Sequence, residues 1–184
     1  PENITIITVG TNEENCLLIK QLKNNNINYI NSAKDINLYP WDMGYKTVYI
    51  YDMIKRVETE YILYLDASDV LINNIENILE IKEKEYNCIK TVFGATRNLR
   101  KKNRTDSFER ILGKYRDLNA GTFIGNTEDI KIIYDKAIIN MLEEEEFDDQ
   151  EIIRNIMDKR YSDFYFDFNS SLFQTVHGSE FINT

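Results

Sequence analysis

Two aspartates three residues apart, Asp66 and Asp69, close the apolar stretch YILYLDASDVLI at positions 61–72. Chain of this kind belongs in a core, where an unpaired carboxylate costs several kcal/mol or takes up a proton. Compensating positive charge is therefore expected where the strand ends. A D-x-x-D turn aims both side chains to one side, and a hard divalent cation bridging to phosphate oxygens would neutralise them there. The plain alternative is that Asp69 caps a following helix. His177, the single histidine, follows an apolar run and precedes Gly178, whose bare backbone can approach a ligand. Asn119 and Gly121, in LNAGTFIG, stand just ahead of an apolar run. Small residues there admit a bound group and the amide both donates and accepts, although a tight turn explains the same pattern.

Charge is blocked rather than scattered. RNLRKKNR gathers Arg97, Arg100, Lys101, Lys102 and Arg104, and EEEEFDDQ places six acids within eight residues, Asp148 and Asp149 among them. Such runs are ordinarily solvated faces. The whole chain of 184 residues carries a net charge of -9, which argues against duplex nucleic acid or an anionic membrane as partner. A metal-bridged anionic ligand is compatible with that balance. A hydrophobic content of 42% suffices for one domain, spanning 1–184, with a sizeable core. Cys16 and Cys88 fall at no metal-ligand spacing and read as reduced core residues. The polar start PENITIITVG is not a secretory signal, and no apolar stretch reaches transmembrane length, so a soluble cytoplasmic protein is expected.

The elements that must position these groups follow from periodicity. NITIITV reads as a buried strand ending at Gly10, EENCLLIKQLKNNN as a helix with Leu18, Ile19 and Leu22 on one face, and INYIN as a second strand. Ile50, Met53, Ile54 and Val57 fall at helical spacing and predict a helix over 47–57, after the loop LYPWDMGYK. The run before Asp66 is continuously apolar, as suits a strand covered on both faces in a parallel sheet. Ile72, Ile75, Ile78 and Leu79 predict another helix, NCIKTVFGA and GTFIG two more strands, and the stretch from Ile130 to Met141 the clearest helix. DDQEIIRNIMDK adds a last helix before a Phe-rich extended tail. Strands alternating with helices predict an α/β layer structure with a largely parallel sheet.

Taken in order, ITVGT, GYK opening a helix, LYLDASDVLI, LNAGTFIG, FDDQ and VHG resemble the glycosyltransferase domain of the multifunctional procollagen lysyl hydroxylases, which has viral and bacterial relatives. The resemblance runs from Ile4 to Gly178. It implies a GT-A fold and a manganese-dependent (or magnesium-dependent) transfer of a hexose from a UDP-sugar to an acceptor hydroxyl, hydroxylysine-linked or other. Asp66 and Asp69 match the family's metal aspartates, and His177 its third protein ligand, followed by Gly178. Thr11 matches a residue lining the uridine site, and Trp41 and Lys46 match the loop and helix start beside the nucleotide. Asn119 and Gly121 match the motif facing the donor sugar, and Asp148 and Asp149 the end of a poly-aspartate stretch at the reacting centre.

This chain also departs from the family. Ser68 stands where the family stacks an aromatic ring on the base, and Ser179 and Glu180 follow VHG in place of a glycine and a diphosphate-binding lysine. The basic run 97–104 replaces an aromatic-rich segment, which implies a different acceptor. Two other classes share parts of this pattern: a non-catalytic sugar-nucleotide-binding domain, and a nucleotidyltransferase. The latter would want a basic, Gly-rich loop after the first strand, where TVGTNEENC carries acids.

Overall fold

The computed structural model describes residues 3–36, 42–87, 89–96, 117–159, 164–167 and 169–174. Trp41, Cys88, the basic run 97–104, His177 and Gly178 lie outside the described residues.

Among the described residues, the apolar runs form six strands: β1 (Ile4–Thr8), β2 (Ile30–Asn31), β3 (Tyr61–Leu65), β4 (Thr91–Thr96), β5 (Asp117–Asn126) and β6 (Phe164–Phe166). Five α-helices accompany them among the described residues: α1 (Leu17–Asn24), α2 (Met43–Ile54), α3 (Ile78–Tyr86), α4 (Thr127–Glu144) and α5 (Asp149–Lys159). The strands make one sheet in the order β2-β1-β3-β5-β4-β6. β1 pairs parallel with β2 and β3, and β4 pairs parallel with β6. β5 runs antiparallel to both of its neighbours, so the sheet is mixed and mostly parallel, in keeping with the largely parallel sheet expected.

Continuous apolar character in β3 has a simple cause: helices cover both faces of the sheet. Ile62 and Tyr64 point into a core shared with Ile50, Met53 and Ile54 of α2, Ile133 and Ala137 of α4, and Ile152, Ile153 and Ile156 of α5. Leu63 and Leu65 point the other way, into a core with Leu18 and Leu22 of α1, Ile78 and Tyr86 of α3, and Phe173. Alternate residues of one strand thus serve two cores, as the two-residue repeat of a strand requires.

Several boundaries differ from expectation. α2 starts at Met43 rather than 47, because Asp42 caps it by accepting from the Gly44 N–H at 2.6 Å. Ile72 and Ile75 precede α3 in irregular chain; Ile75 is buried all the same, so its helical spacing with Ile78 arose from packing and not from a helix. Cys16 is a buried free thiol at the start of α1. Fully buried Asp167 closes the sheet's far side: it accepts from Tyr86 Oη at 2.5 Å and from the N–H groups of Ser171, Leu172 and Phe173 at 2.8, 2.7 and 2.6 Å. No helix among the described residues is long and apolar enough to cross a membrane.

Candidate functional site

Asp66 continues the β3 ladder, donating its N–H to Gly121 O at 2.8 Å. Being two residues beyond Tyr64, it points to the same face, toward α2 and α5. Lys46 lies on the stripe of α2 that carries Ile50 and Met53, and Asp149 on the stripe of α5 that carries Ile152, Ile153 and Ile156. Each of these three stripes aims at the core, and each ends in a charged residue at the same edge of the sheet. The charges meet. Lys46 Nζ lies 2.8 Å from Asp66 Oδ1 and 2.7 Å from Asp149 Oδ2, with its side chain only 9% exposed. Tyr64 Oη donates to the same Asp66 Oδ1 at 2.5 Å.

The electrostatics follow from burial and partners. Burial works against the Lys46 ammonium, but Asp66 and Asp149 outweigh it and hold the lysine above its ordinary value. Burial raises Asp66 against the opposing pull of Lys46 and Tyr64, and raises the Tyr64 and Tyr134 hydroxyls well above the ordinary phenol range. The positive charge that β3 demands at its end is thus supplied by Lys46. The family resemblance sets Lys46 beside a nucleotide and does not pair it with the carboxylates. The available signal was a lysine on the apolar stripe 46, 50, 53 facing an aspartate on the apolar stripe 149, 152, 156, since charges in such positions have to pair.

The neighbouring candidates sort themselves by contact. Asp148 Oδ1 accepts from the N–H groups of Gln150 and Glu151 at 3.0 and 3.1 Å, so it caps α5 while Asp149 turns inward. Arg154, one turn further on, pairs with Asp117 at 2.7 Å and with Glu151, fixing α5 to the start of β5. Asn119 and Gly121 lie inside β5 and not in a tight turn; β4 shifts register opposite them, between Phe93 and Gly94. Asn119 Oδ1 accepts the Gly121 N–H at 2.8 Å. A methyl group on Gly121 would lie 2.6 Å from Asp66 Oδ2, so the bare glycine makes the space that this carboxylate occupies. Thr11 is half-buried after β1, where Gly10 is clasped by Asn31 through N–H to Oδ1 (3.2 Å) and Nδ2 to O (2.9 Å). Because β1 and β3 are parallel, Thr11 and Asp66 share the carboxyl edge of the sheet, the usual ligand side of such folds.

Asp69 and Ser68 are exposed on the turn after Asp66. The capping role considered for Asp69 is excluded, because α3 begins only at Ile78 after Asn77. With one oxygen of Asp66 engaged by Lys46 and Tyr64, its Oδ2 and the Asp69 carboxylate are hard oxygen donors of the type a divalent cation takes. Among the described residues, no three His, Cys, Asp or Glu are grouped to hold a metal ion.

No protein-family model and no curated protein matches the chain. A solved structure of a glycosyltransferase involved in the glycosylation of the major capsid of PBCV-1 is similar, with a TM-score of 0.53 and 14% identity over 89% of this chain and 81% of that one. A 4-diphosphocytidyl-2C-methyl-D-erythritol synthase from Anaerococcus prevotii is similar at a TM-score of 0.48 and 12% identity, over 97% and 94% of the two chains. What the chain shares with the viral enzyme at this identity is its fold, an α/β sheet of GT-A glycosyltransferase type flanked by helices.

Proposed function

We propose that the chain is a metal-dependent glycosyltransferase that moves a hexose from a UDP-sugar to an acceptor hydroxyl, like the lysyl hydroxylase glycosyltransferase domains that its motifs resemble. The observation that carries this reading is the meeting of Lys46, Asp66 and Asp149 at the carboxyl edge of a glycosyltransferase-type sheet. One ammonium set against Asp66, Asp69 and Asp149 leaves negative charge in excess, which suits a divalent cation. Asp66, through Oδ2, with Asp69 and His177 would hold manganese or magnesium, and the metal would act as a Lewis acid toward the departing UDP.

Asp149 is the carboxylate for the sugar. Breaking the sugar–phosphate bond gives the ring oxocarbenium character, which an adjacent carboxylate stabilises; in an inverting reaction the same group takes the proton of the acceptor hydroxyl. Asp148 is committed to capping α5, which favours Asp149 over it. Thr11, Trp41 and Ser68 are assigned to the nucleoside side, Gly178 to the diphosphate side, and Asn119 and Gly121 to the donor sugar.

A thermal-shift panel of nucleotide sugars, with and without manganese, tests the reading, since a ligand that binds only the folded state raises its stability. Stabilisation by UDP-sugars that requires manganese, together with UDP release, is the expected result. Equal UDP affinity in chelator would overturn the metal, and manganese-dependent binding without UDP release to any acceptor would mark a binding domain instead.

A further inference from the structure

We infer that Lys46 is the positioning residue of this centre: its ammonium is the shared counter-ion that ties Asp66 to Asp149 and so sets the gap in which a donor sugar would lie. This rests on the function proposed above and replaces the nucleotide contact that the motif comparison assigned to the lysine. Three observations carry it. The ammonium makes both contacts at once, 2.8 Å to Asp66 and 2.7 Å to Asp149. Its side chain is 9% exposed and also packs 5.5 Å from the Tyr64 ring centroid, so little of it remains to meet a diphosphate. Finally, it joins three separate elements, α2, the end of β3 and the first residue of α5. Remove it and two half-buried carboxylates face one another with nothing between them, which drives them apart.

Tyr64 completes the device. Its hydroxyl and Lys46 both take Oδ1 of Asp66, leaving Oδ2, on the Gly121 side, without a partner among the described residues. Asp66 is thereby set to offer a cation one oxygen in a fixed direction rather than two.

The test is a double-mutant cycle on the full chain with Lys46→Met, Asp149→Asn and the pair, read by thermal unfolding without ligand and by titration with manganese alone and with UDP plus manganese. Lys46→Met should lower the melting temperature, and Asp149→Asn should recover part of that loss in the double variant, because it removes one of the stranded charges. Manganese alone should bind Lys46→Met more tightly than the wild type, as a neighbouring positive charge has gone; lost packing without lost charge would not produce that rise. Affinity for UDP with manganese should not fall. Lys46→Arg keeps the charge and should retain the wild-type manganese affinity. Additive effects of the two substitutions on unfolding would overturn the inference. So would a loss of UDP affinity of about tenfold or more in Lys46→Met, the size expected for a deleted contact to a charged phosphate. Should Lys46→Met not fold, Tyr64→Phe, which deletes only one hydroxyl, serves in its place: altered manganese affinity is expected, and unchanged affinity overturns the locked carboxylate. If the wild type binds neither manganese nor UDP, the proposed function fails, while the ligand-free cycle still decides whether Lys46 couples the two aspartates.

Discussion

Replacing Gly121 with alanine is the sharpest probe of the space around Asp66. The added methyl would sit 2.6 Å from Asp66 Oδ2 and 2.9 Å from Asn119 Oδ1, both well inside van der Waals contact. Neither neighbour yields freely. Asn119 Oδ1 holds the Gly121 N–H, and Asp66 is tied through Oδ1 to Lys46 and Tyr64. Overpacking alone costs about 1–3 kcal/mol, and driving the carboxylate off a buried lysine adds part of the 3–5 kcal/mol of a broken buried pair. We expect a loss of about 2–4 kcal/mol, or roughly 5–15 °C in melting temperature for a chain of this size. Denaturant unfolding monitored by circular dichroism measures it. The same substitution made on Asp66→Ala should cost clearly less, because the nearest clashing atom is gone. A change below about 0.5 kcal/mol for Gly121→Ala, or an equal loss in both backgrounds, would refute the crowding argument.

Asp66→Ala should abolish manganese-dependent UDP binding with the fold retained, as isothermal titration and circular dichroism would show. Asp149→Asn should depress turnover far more than donor binding, whereas Asp148→Ala should cost about 0.5–2 kcal/mol of stability, the loss of a helix cap, with turnover kept. Asp167→Ala strands the Tyr86 hydroxyl and three backbone N–H groups, so a loss of about 3 kcal/mol or more is expected in urea unfolding. Burial, reinforced in Tyr64 by Asp66, holds the Tyr64 and Tyr134 hydroxyls protonated well beyond their ordinary range. The unfolded chain ionises these phenols near pH 10, so stability is full below that pH and declines above it; ultraviolet titration should show these two phenolates only as the chain unfolds.

Much of this arrangement was legible in the residues. Ile4 to Thr8, Tyr61 to Leu65 and the α4 stripe from Ile130 to Met141 declare themselves by apolar run or period, because burial on a face enforces the repeat. Asp66 declared itself by violating such a run. The direction of β5 was not legible: Thr122 to Gly125 read as a buried strand whichever way they pair, since apolar side chains carry no mark of polarity. Nor did pattern alone tell Asp148 from Asp149. One residue of offset turns a carboxylate from the helix N-terminus into the core, and only the start of α5 fixes that phase. The irregular path through Ile72 and Ile75 was misread for a related reason, since a loop packed on a core can imitate helical spacing.

The antiparallel β5 has a consequence for how such a protein can change. β4 runs in the same sense as β3, and β5 returns against both, so the chain leaves β4 at Thr96 and re-enters β5 at Asp117 on the edge that holds Asp66 and Asp149. Thr96 and Asp117 are register partners, so the sheet itself holds these two strand ends side by side. Asp117 is clasped in turn by Arg154 of α5 at 2.7 Å, which ties that corner of the sheet to the helix that begins with Asp149. A substitution that shifts the β4–β5 corner is accordingly carried to Asp149 through that ion pair.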